Sequence, residues 1–337
     1  MPSPTFVYAG STTDTKSKGI YAFRLQTENL EVSQNITLVP QGLAVETPNP
    51  TYLEIDVKRR LVFAVNELKE GSVSVFAADA AGKLAPVGRT ACGGAPCHCA
   101  LHKDGGHLLV AMADALSVVP IAADGKPGAA TAAAESTQPA SVAFDVTGRF
   151  AFACSPSLDR VFTYRFDQGK LTGPSVITTK KGTGPRRIVF RPDGKFAYLV
   201  NQNDSTITAN SYDTNTGRLT ALEMQSTLPP YFDGKNTAAE IGMHPSGKWL
   251  YVSNIGNETV VLFEIDKDKG TLSYVEEQGT GGKTPVHFGI QPDAKHLTIC
   301  NQKSDTLLVC RIDSSNGRLK PSGVFATSPN PTCAKFL

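Results

Sequence analysis

Histidine, arginine and glutamate recur at one position of a repeated segment, and these side chains can bind anions and transfer protons. The position is the second residue after a proline, or after the residue in its place, in seven strand-like segments. Its occupants are Tyr52, His98, Ser141, Arg187, Glu240, His287 and Cys333. A histidine or a carboxylate can move a proton near neutral pH. We therefore predict His98, Glu240 and His287 as acid–base residues.

The residue directly before this position forms a second set, whose charged member is Arg186. Its occupants are Thr51, Cys97, Ala140, Arg186, Ala239, Val286 and Thr332. Strand alternation should send the two sets to opposite sides of each strand, so either set could line a central channel. Arginine holds carboxylate or phosphate through two parallel hydrogen bonds, which makes Arg186 and Arg187 candidates for substrate binding. Alternatively, these groups satisfy one another where the strands crowd together.

The triplet Cys97-His98-Cys99 suggests a metal site, but its spacing argues against one. On a strand the two cysteines share a face and His98 points away, whereas zinc sites typically use two intervening residues between cysteines. We expect structural thiols, no metal and no cofactor. Neither a P-loop nor the glycine-flanked serine or dinucleotide motifs occur with the flanking elements they need. Nucleotide binding and serine-hydrolase chemistry therefore have no support.

These residues lie on a repeat that recurs at steps of 43 to 53 residues. Each copy places a strand, a polar turn and three further strand-like segments in sequence, which is typical of a β-propeller blade. There are six full copies and a half copy from Pro331 to Leu337, while TFVYAGS and GIYAFRLQ near the N-terminus supply further strands. We predict an all-β, seven-bladed propeller of four-stranded antiparallel blades, with almost no helix. Residues 1–337 form one domain, closed by pairing of the terminal strands, which removes their free edges.

The overall composition and charge of the chain limit its binding partners and its cellular location. A net charge of +2 gives no support for nucleic-acid binding, and no apolar run approaches the roughly 18 residues that a membrane span needs. The N-terminus lacks the basic and apolar regions of a secretory signal. The seven cysteines are an odd number in scattered positions, which argues against a disulfide framework. We expect a cytoplasmic protein, monomeric or homodimeric, whose partner is a small-molecule substrate.

Several motifs resemble those of the lactonase propellers, a family that includes cycloisomerase-type 6-phosphogluconolactonases and fungal 3-carboxymuconate lactonising enzymes. The matching segments are GIYAFRL from Gly19, GAPCH from Gly94, GPRR from Gly184, FDGKNTAAEI from Phe232 and CAKFL from Cys333. The resemblance spans the chain and implies a seven-bladed propeller that acts on small acidic lactones or muconates without a metal or cofactor. It also implies that Gln202, Asp233 and Asn236 contact the substrate.

The same resemblance exposes substitutions at positions where the family carries polar or charged residues. Ala140 stands where a histidine is usual, Gln202 replaces a glutamate, and Ile255 and Val286 each replace an arginine. An amide cannot accept a proton at neutral pH, and fewer arginines weaken the capture of a doubly charged substrate. We therefore expect the usual reaction of the family to be slow, absent or redirected to a different substrate.

Three functions follow from these observations. The first is a lactonase that opens or closes a lactone ring on a small anionic sugar acid or muconate-like acid. The second is a lyase, isomerase or hydrolase whose rebuilt pocket takes a less polar ligand. The third is a non-catalytic binding propeller, because one fold can serve many activities.

Overall fold

Short segments rich in β-branched and aromatic residues form the strands of this protein, and Gly-containing turns separate them. The structure is a computed structural model that describes residues 5–14, 16–29 and 34–337. Within that part of the chain there are 28 strands and one 3-10 helix, η1 (Gln302–Ser304). No helix in the described ranges is long and apolar enough to cross a bilayer. The prediction of an all-β fold with almost no helix is confirmed.

The strands form seven antiparallel four-stranded sheets, each of which is one blade. Blade 1 contains β4 (Pro50–Asp56), β5 (Leu61–Asn66), β6 (Ser72–Ala78) and β7 (Leu84–Ala91). Blade 2 contains β8 (Pro96–Leu101), β9 (His107–Met112), β10 (Ala115–Pro120) and β11 (Thr131–Glu135). Blade 3 contains β12 (Ser141–Phe144), β13 (Phe150–Ser155), β14 (Arg160–Asp167) and β15 (Lys170–Thr178). Blade 4 contains β16 (Pro185–Phe190), β17 (Phe196–Asn201), β18 (Thr206–Asp213) and β19 (Arg218–Ser226).

The remaining strands complete the circle. Blade 5 contains β20 (Thr237–Met243), β21 (Trp249–Ile255), β22 (Thr259–Ile265) and β23 (Leu272–Gly279). Blade 6 contains β24 (Pro285–Ile290), β25 (His296–Asn301), β26 (Thr306–Ile312) and β27 (Leu319–Thr327). Blade 7 contains β28 (Pro331–Phe336), β1 (Thr5–Ser11), β2 (Gly19–Asn29) and β3 (Gln34–Glu46). The first strand of each blade neighbours the first strands of the two adjacent blades, which closes the ring around a central channel.

The closing blade is built from both ends of the chain, as the sequence predicts. Strand β28 pairs with β1, so that Ala334 lies opposite Ala9 and Phe336 opposite Val7. The N–H of Phe6 also donates to the carbonyl of Leu337 at 3.1 Å. This pairing satisfies backbone groups that would otherwise form an open sheet edge.

The second strand of a blade carries much of the apolar core because neighbouring blades cover both of its faces. Every residue of β5, β13, β17 and β25 is buried. In each case the sequence is a nearly continuous apolar run, FAFAC in β13 for example, in place of the alternation of a half-exposed strand. The core is thus spread between blades, and the channel is left to more polar side chains.

Several inner strands are bulged near their first residue, and this changes the expected side-chain directions. The pairing register shifts between Pro50 and Tyr52 in β4, and at the equivalent place in β8, β16 and β24. A bulge leaves one residue unpaired and re-aims the side chains around it. Plain alternation therefore does not hold at this step, and the contacts of each side chain decide which set lines the channel.

The contact between β24 and β28 holds blade 6 against the closing blade, and Gly289 makes it possible. A Cβ atom at Gly289 would lie 2.4 Å from the carbonyl oxygen of Ala334. We expect Gly289→Ala to lower the free energy of unfolding by about 1–3 kcal/mol, because the two strands must move apart. Urea unfolding measures the change. The control is Gly279→Ala, where a Cβ meets nothing within 4 Å; equal effects of the two substitutions would contradict the prediction.

Candidate active site

The inner strands enclose a cavity of about 570 Å³ in the central channel. It begins at the ring of second-position residues and extends towards the C-terminal ends of the inner strands. Of the ring, Tyr52, His98, Ser141, Arg187, Glu240 and His287 line it. Its outer part includes the exposed residues Lys103 and Val146. The structure therefore brings together the three residues that we predict as acid–base groups.

Arg187 and Glu240 lie side by side in the ring of second-position residues, which forms the floor of the cavity. Both have buried polar atoms that form no hydrogen bond within the described part of the chain. Arg187 Nε lies 3.3 Å from Glu240 Oε2, and the two side chains are 12% and 8% exposed. Glu240 Oε1 accepts from the N–H of Ile241, but Glu240 Oε2 and Arg187 Nε and Nη1 form no aligned hydrogen bond with any described residue. Leaving buried polar atoms unmatched costs about 1–3 kcal/mol each, so they are typical of a site that binds a ligand.

The aromatic ring of Tyr52 lies at the cavity floor and contacts a histidine and two cationic side chains. The centroid of this ring lies 4.0 Å from that of His98. Arg187 Cζ and Lys335 Nζ each lie 5.1 Å from the centroid of the Tyr52 ring. Cations over an aromatic face are attracted by its electron density. Burial raises the pKa of Tyr52, so the phenol keeps its proton. Tyr52 thus packs two cations at the floor and can donate one hydrogen bond.

His98 and His287 have the same protonation pattern. The Nδ1 atom of His98 accepts from the N–H of Val142 at 3.4 Å, and that of His287 accepts from the N–H of Ala334 at 3.3 Å. Burial, with nearby Arg187 and Lys335, lowers the pKa of both rings well below 6.5. Each ring is therefore neutral at pH 7 and carries its proton on Nε2. His287 Nε2 lies 3.5 Å from Glu240 Oε2.

These depressed pKa values predict a loss of stability in acid. Below pH 6.5 the unfolded chain binds protons at these histidines while the folded rings stay neutral. The stability that each ring contributes is therefore fully present above pH 6.5, and it is lost as the pH falls, by about 1.4 kcal/mol per pH unit. We expect His98→Asn, which keeps an acceptor for Val142, to make the decline shallower by this amount per pH unit. Urea unfolding between pH 6.5 and 5 measures it, and an unchanged slope would contradict it.

The cysteines near the cavity are thiols and not thiolates. All seven cysteines of the chain are free. Burial raises the pKa of Cys333 to about 12 and that of Cys99 well above its ordinary value. Cys97 Sγ points to the carbonyl of Pro139 at 3.4 Å, away from the cavity. The two cysteines do not share a face as strand alternation predicts, because Cys97 and Cys99 pack against different apolar clusters. The register shift between Pro96 and His98 interrupts the alternation at this step.

Arg186 and Gln202 lie outside this cavity, Arg186 near the beginning of the inner strand β16 and Gln202 directly after β17. Arg186 Nη1 donates to Gln202 Oε1 at 2.7 Å, and its Nε donates to the carbonyl of Ala239 at 3.0 Å. Burial and then the charge of Arg187 lower the pKa of Arg186 to about 10. Substrate binding by this pair stays a prediction, and it would require a ligand at the opposite end of the channel.

The loop before β20 carries the two other predicted substrate contacts, and neither lines the cavity. Asp233 is exposed. Asn236 is engaged in the fold, because its Nδ2 donates to Ser205 Oγ and Asn254 Oδ1 at 2.9 Å each. Its Oδ1 accepts from the N–H of Asn257 at 3.1 Å. Asn236 therefore ties the loop to blades 4 and 5. Its contact with substrate, like that of Asp233, stays a prediction.

Two charged residues of the cavity, Glu54 and Lys335, were missed by the sequence reasoning. They lie 3.7 Å apart, Lys335 Nζ to Glu54 Oε2, and both line the cavity. Each is the fourth residue after the proline of its inner strand, and hence two residues beyond the ring position. Extending the strand period by one step would have found them.

The chain matches known proteins over nearly its whole length. The family described as "Lactonase, 7-bladed beta-propeller" matches residues 6–336. The 6-phosphogluconolactonase of Bacillus subtilis is 26% identical over 294 residues, 82% of each chain. That of Serratia proteamaculans is 30% identical over 252 residues, 72% of this chain and 73% of the relative. The solved structure of a periplasmic gluconolactonase from Pseudomonas aeruginosa is 26% identical, covers 99% of both chains and has a TM-score of 0.89.

Proposed function

Because this chain belongs to the seven-bladed β-propeller lactonase family, we propose that it hydrolyses the lactone of a sugar acid in the central cavity. The observation that carries the proposal is the pair on the cavity floor. Arg187 Nη1 and Glu240 Oε2 are buried and lack hydrogen-bond partners among the described residues. A cationic donor and a free carboxylate oxygen, side by side, suit the attack of water on an ester carbonyl.

Glu240 takes the role of general base. The histidines are unsuited to it, because their Nδ1 atoms accept backbone N–H groups and their Nε2 atoms carry protons. Glu240 Oε2 removes a proton from water, the oxygen of which attacks the carbonyl carbon. The bond to the ring oxygen then breaks, and the protonated Glu240 returns the proton to the departing alkoxide. The products are a carboxylic acid, which ionises, and a hydroxyl group.

Arg187 stabilises the negative charge that develops on the carbonyl oxygen. Its Nη1 atom has no competing acceptor among the described residues, and burial strengthens a charged hydrogen bond. His287 carries its proton on Nε2, 3.5 Å from Glu240 Oε2, so a small rotation of the ring lets it donate to that carboxylate and orient it. His98 donates through Nε2 to a hydroxyl group of the sugar acid.

The charge balance of the cavity favours a neutral sugar lactone over a phosphorylated one. Its lining contains three cations and three carboxylates, namely Lys103, Arg187, Lys335, Glu54, Asp145 and Glu240. With neutral histidines the sum is zero, so no excess positive charge is available for a phosphate dianion. We therefore propose glucono-δ-lactone as representative of the substrate class.

A pH-stat assay tests this with glucono-δ-lactone, 6-phosphogluconolactone and muconolactone, after subtraction of spontaneous hydrolysis. We expect the highest kcat/KM on the neutral sugar lactone. A preference for the phosphorylated lactone would support the second candidate, 6-phosphogluconolactonase activity, which is favoured by the names of the relatives. Turnover of muconolactone alone would indicate lactonising cycloisomerase chemistry. No turnover of any of the three by folded protein would contradict a lactonase. The cytoplasmic location and the monomeric or homodimeric state stay predictions.

A further inference from the structure

The turn between β8 and β9 gathers three metal-binding side chains outside the cavity floor. Its sequence, HKDGGH, contains His102, Asp104 and His107. One ligand atom from each lies within 4.8 Å of the other two. The N–H of His102 donates to the carbonyl of His107 at 2.8 Å, which closes the turn and fixes the two histidines relative to each other.

His102 presents a lone pair to a carboxylate. Its Nε2 lies 3.0 Å from the carbonyl oxygen of Gly148, which can only accept, so Nε2 carries the proton. In the neutral ring Nδ1 is then unprotonated, and it also accepts weakly from the N–H of Asp104 at 3.5 Å. Yet Nδ1 lies 2.8 Å from Asp104 Oδ1, and the side chain of His102 is only 10% exposed. Two acceptor atoms this close require between them either a metal cation or an additional proton, carried by the ring or by the carboxyl group.

His107 supplies another free donor atom. Its Nδ1 is buried, has no hydrogen-bond partner among the described residues, and lies 3.9 Å from Asp104 Oδ2. Asp104 is half exposed, and its carboxylate lies close to both histidines, with Oδ1 near His102 and Oδ2 near His107. The aromatic rings of Phe144 and Phe166, whose centroids each lie 4.9 Å from that of His102, hold this ring in place.

We propose that this turn binds a divalent transition-metal cation of the Zn²⁺ class through His102 Nδ1, Asp104 and His107 Nδ1. Zinc at about 2.0–2.1 Å from each ligand places its donor atoms about 3.3 Å apart. His102 Nδ1 lies 2.8 Å from Asp104 Oδ1 and His107 Nδ1 lies 3.9 Å from Asp104 Oδ2, so each histidine is close to that separation from one of the two carboxylate oxygens. Water completes the coordination. A zinc-bound histidine usually donates its other N–H to a carbonyl or carboxylate, as His102 does to Gly148. Two imidazoles and one carboxylate favour Zn²⁺ over Mg²⁺ or Ca²⁺, which prefer oxygen ligands.

The bound cation would fix the backbone at Lys103, which lies between two of the ligands and lines the outer part of the cavity. The site therefore sits at the cavity entrance, where the cation would position Lys103. The proposal does not depend on the lactonase activity, because metal binding is measured directly.

The experiment is a Zn²⁺ titration by calorimetry on metal-stripped protein without a histidine tag, with Mg²⁺ as a comparison. We expect one Zn²⁺ per chain, no comparable Mg²⁺ binding, and a loss of affinity of at least about tenfold in Asp104→Asn and in His107→Gln. Both variants keep all seven cysteines, so zinc bound by thiols would be unaffected. Asp124→Asn is the matched control, because Asp124 is an exposed turn aspartate of the same blade, paired with Lys126.

Circular dichroism of each metal-free variant establishes that it is folded. Zinc binding that is equal in all variants, or no saturable zinc binding in the wild-type chain, would overturn the proposal and identify the cluster as a His102–Asp104 ion pair.

Discussion

Replacing Glu240 with glutamine should lower kcat for lactone hydrolysis by about 10²–10⁴-fold, the usual contribution of a general base. The amide keeps an acceptor for the N–H of Ile241, which Glu240 Oε1 binds at 3.1 Å, so the local backbone need not change. It cannot take a proton from water. Because binding of the neutral lactone does not require this charge, KM should change little. Steady-state rates from a pH-stat give both constants.

Two further variants separate catalysis from stability. Glu240→Gln leaves the charge of Arg187 uncompensated, and breaking a buried pair can cost about 3–5 kcal/mol, so thermal unfolding must show that the variant is folded at the assay temperature. Glu240→Asp keeps the carboxylate but shortens the side chain by one methylene, and we expect this variant to retain part of the rate. Glu264→Gln, on an exposed position of β22, is the control for the substitution itself. A folded Glu240→Gln variant with wild-type kcat would exclude Glu240 as the base.

The architecture could be predicted from the sequence because each copy of the repeat contains recognisable strand-forming and turn-forming residues. Buried second strands such as FAFAC and WLYVSN, each preceded by a glycine turn, fix the blade boundaries within a few residues. The half copy at Pro331 predicted the closure by β28 and β1, since a lone strand has an edge that must be paired. These are local signals, and packing between blades reinforces them.

The site could be predicted only in part, because its geometry depends on bulges and on neighbouring blades. Strand periodicity found His98, Glu240 and His287. It could not decide between Arg186 and Arg187, because the register shift between Pro185 and Arg187 interrupts the alternation that such a choice needs. The tautomers of the histidines depend on N–H groups of Val142 and Ala334, which come from adjacent inner strands and leave no mark in the local sequence.

The two arginines of β16 offer the sharpest test of where the reaction occurs. Arg187 lines the cavity, while the guanidinium of Arg186 is held by Gln202 and the carbonyl of Ala239. We expect Arg187→Met to lower kcat/KM for glucono-δ-lactone by about 10²–10³-fold, the usual effect of removing a donor to a developing oxyanion. Arg186→Met should cost less than about tenfold, since a ligand in the cavity does not reach that layer.

The pair of variants is matched, because each removes one buried guanidinium from adjacent positions of the same strand and keeps a side chain of similar length. Methionine at position 187 leaves Glu240 without its 3.3 Å partner, so thermal unfolding is needed to confirm that both proteins are folded. Arg187→Lys, which restores the charge but not the Nη1 donor, should recover only part of the rate. If Arg186→Met is instead the more damaging substitution, the lactone binds at the opposite end of the channel. Arg186 and Gln202 would then be its contacts, as predicted from the sequence, and Glu240 would serve only to balance the charge of Arg187.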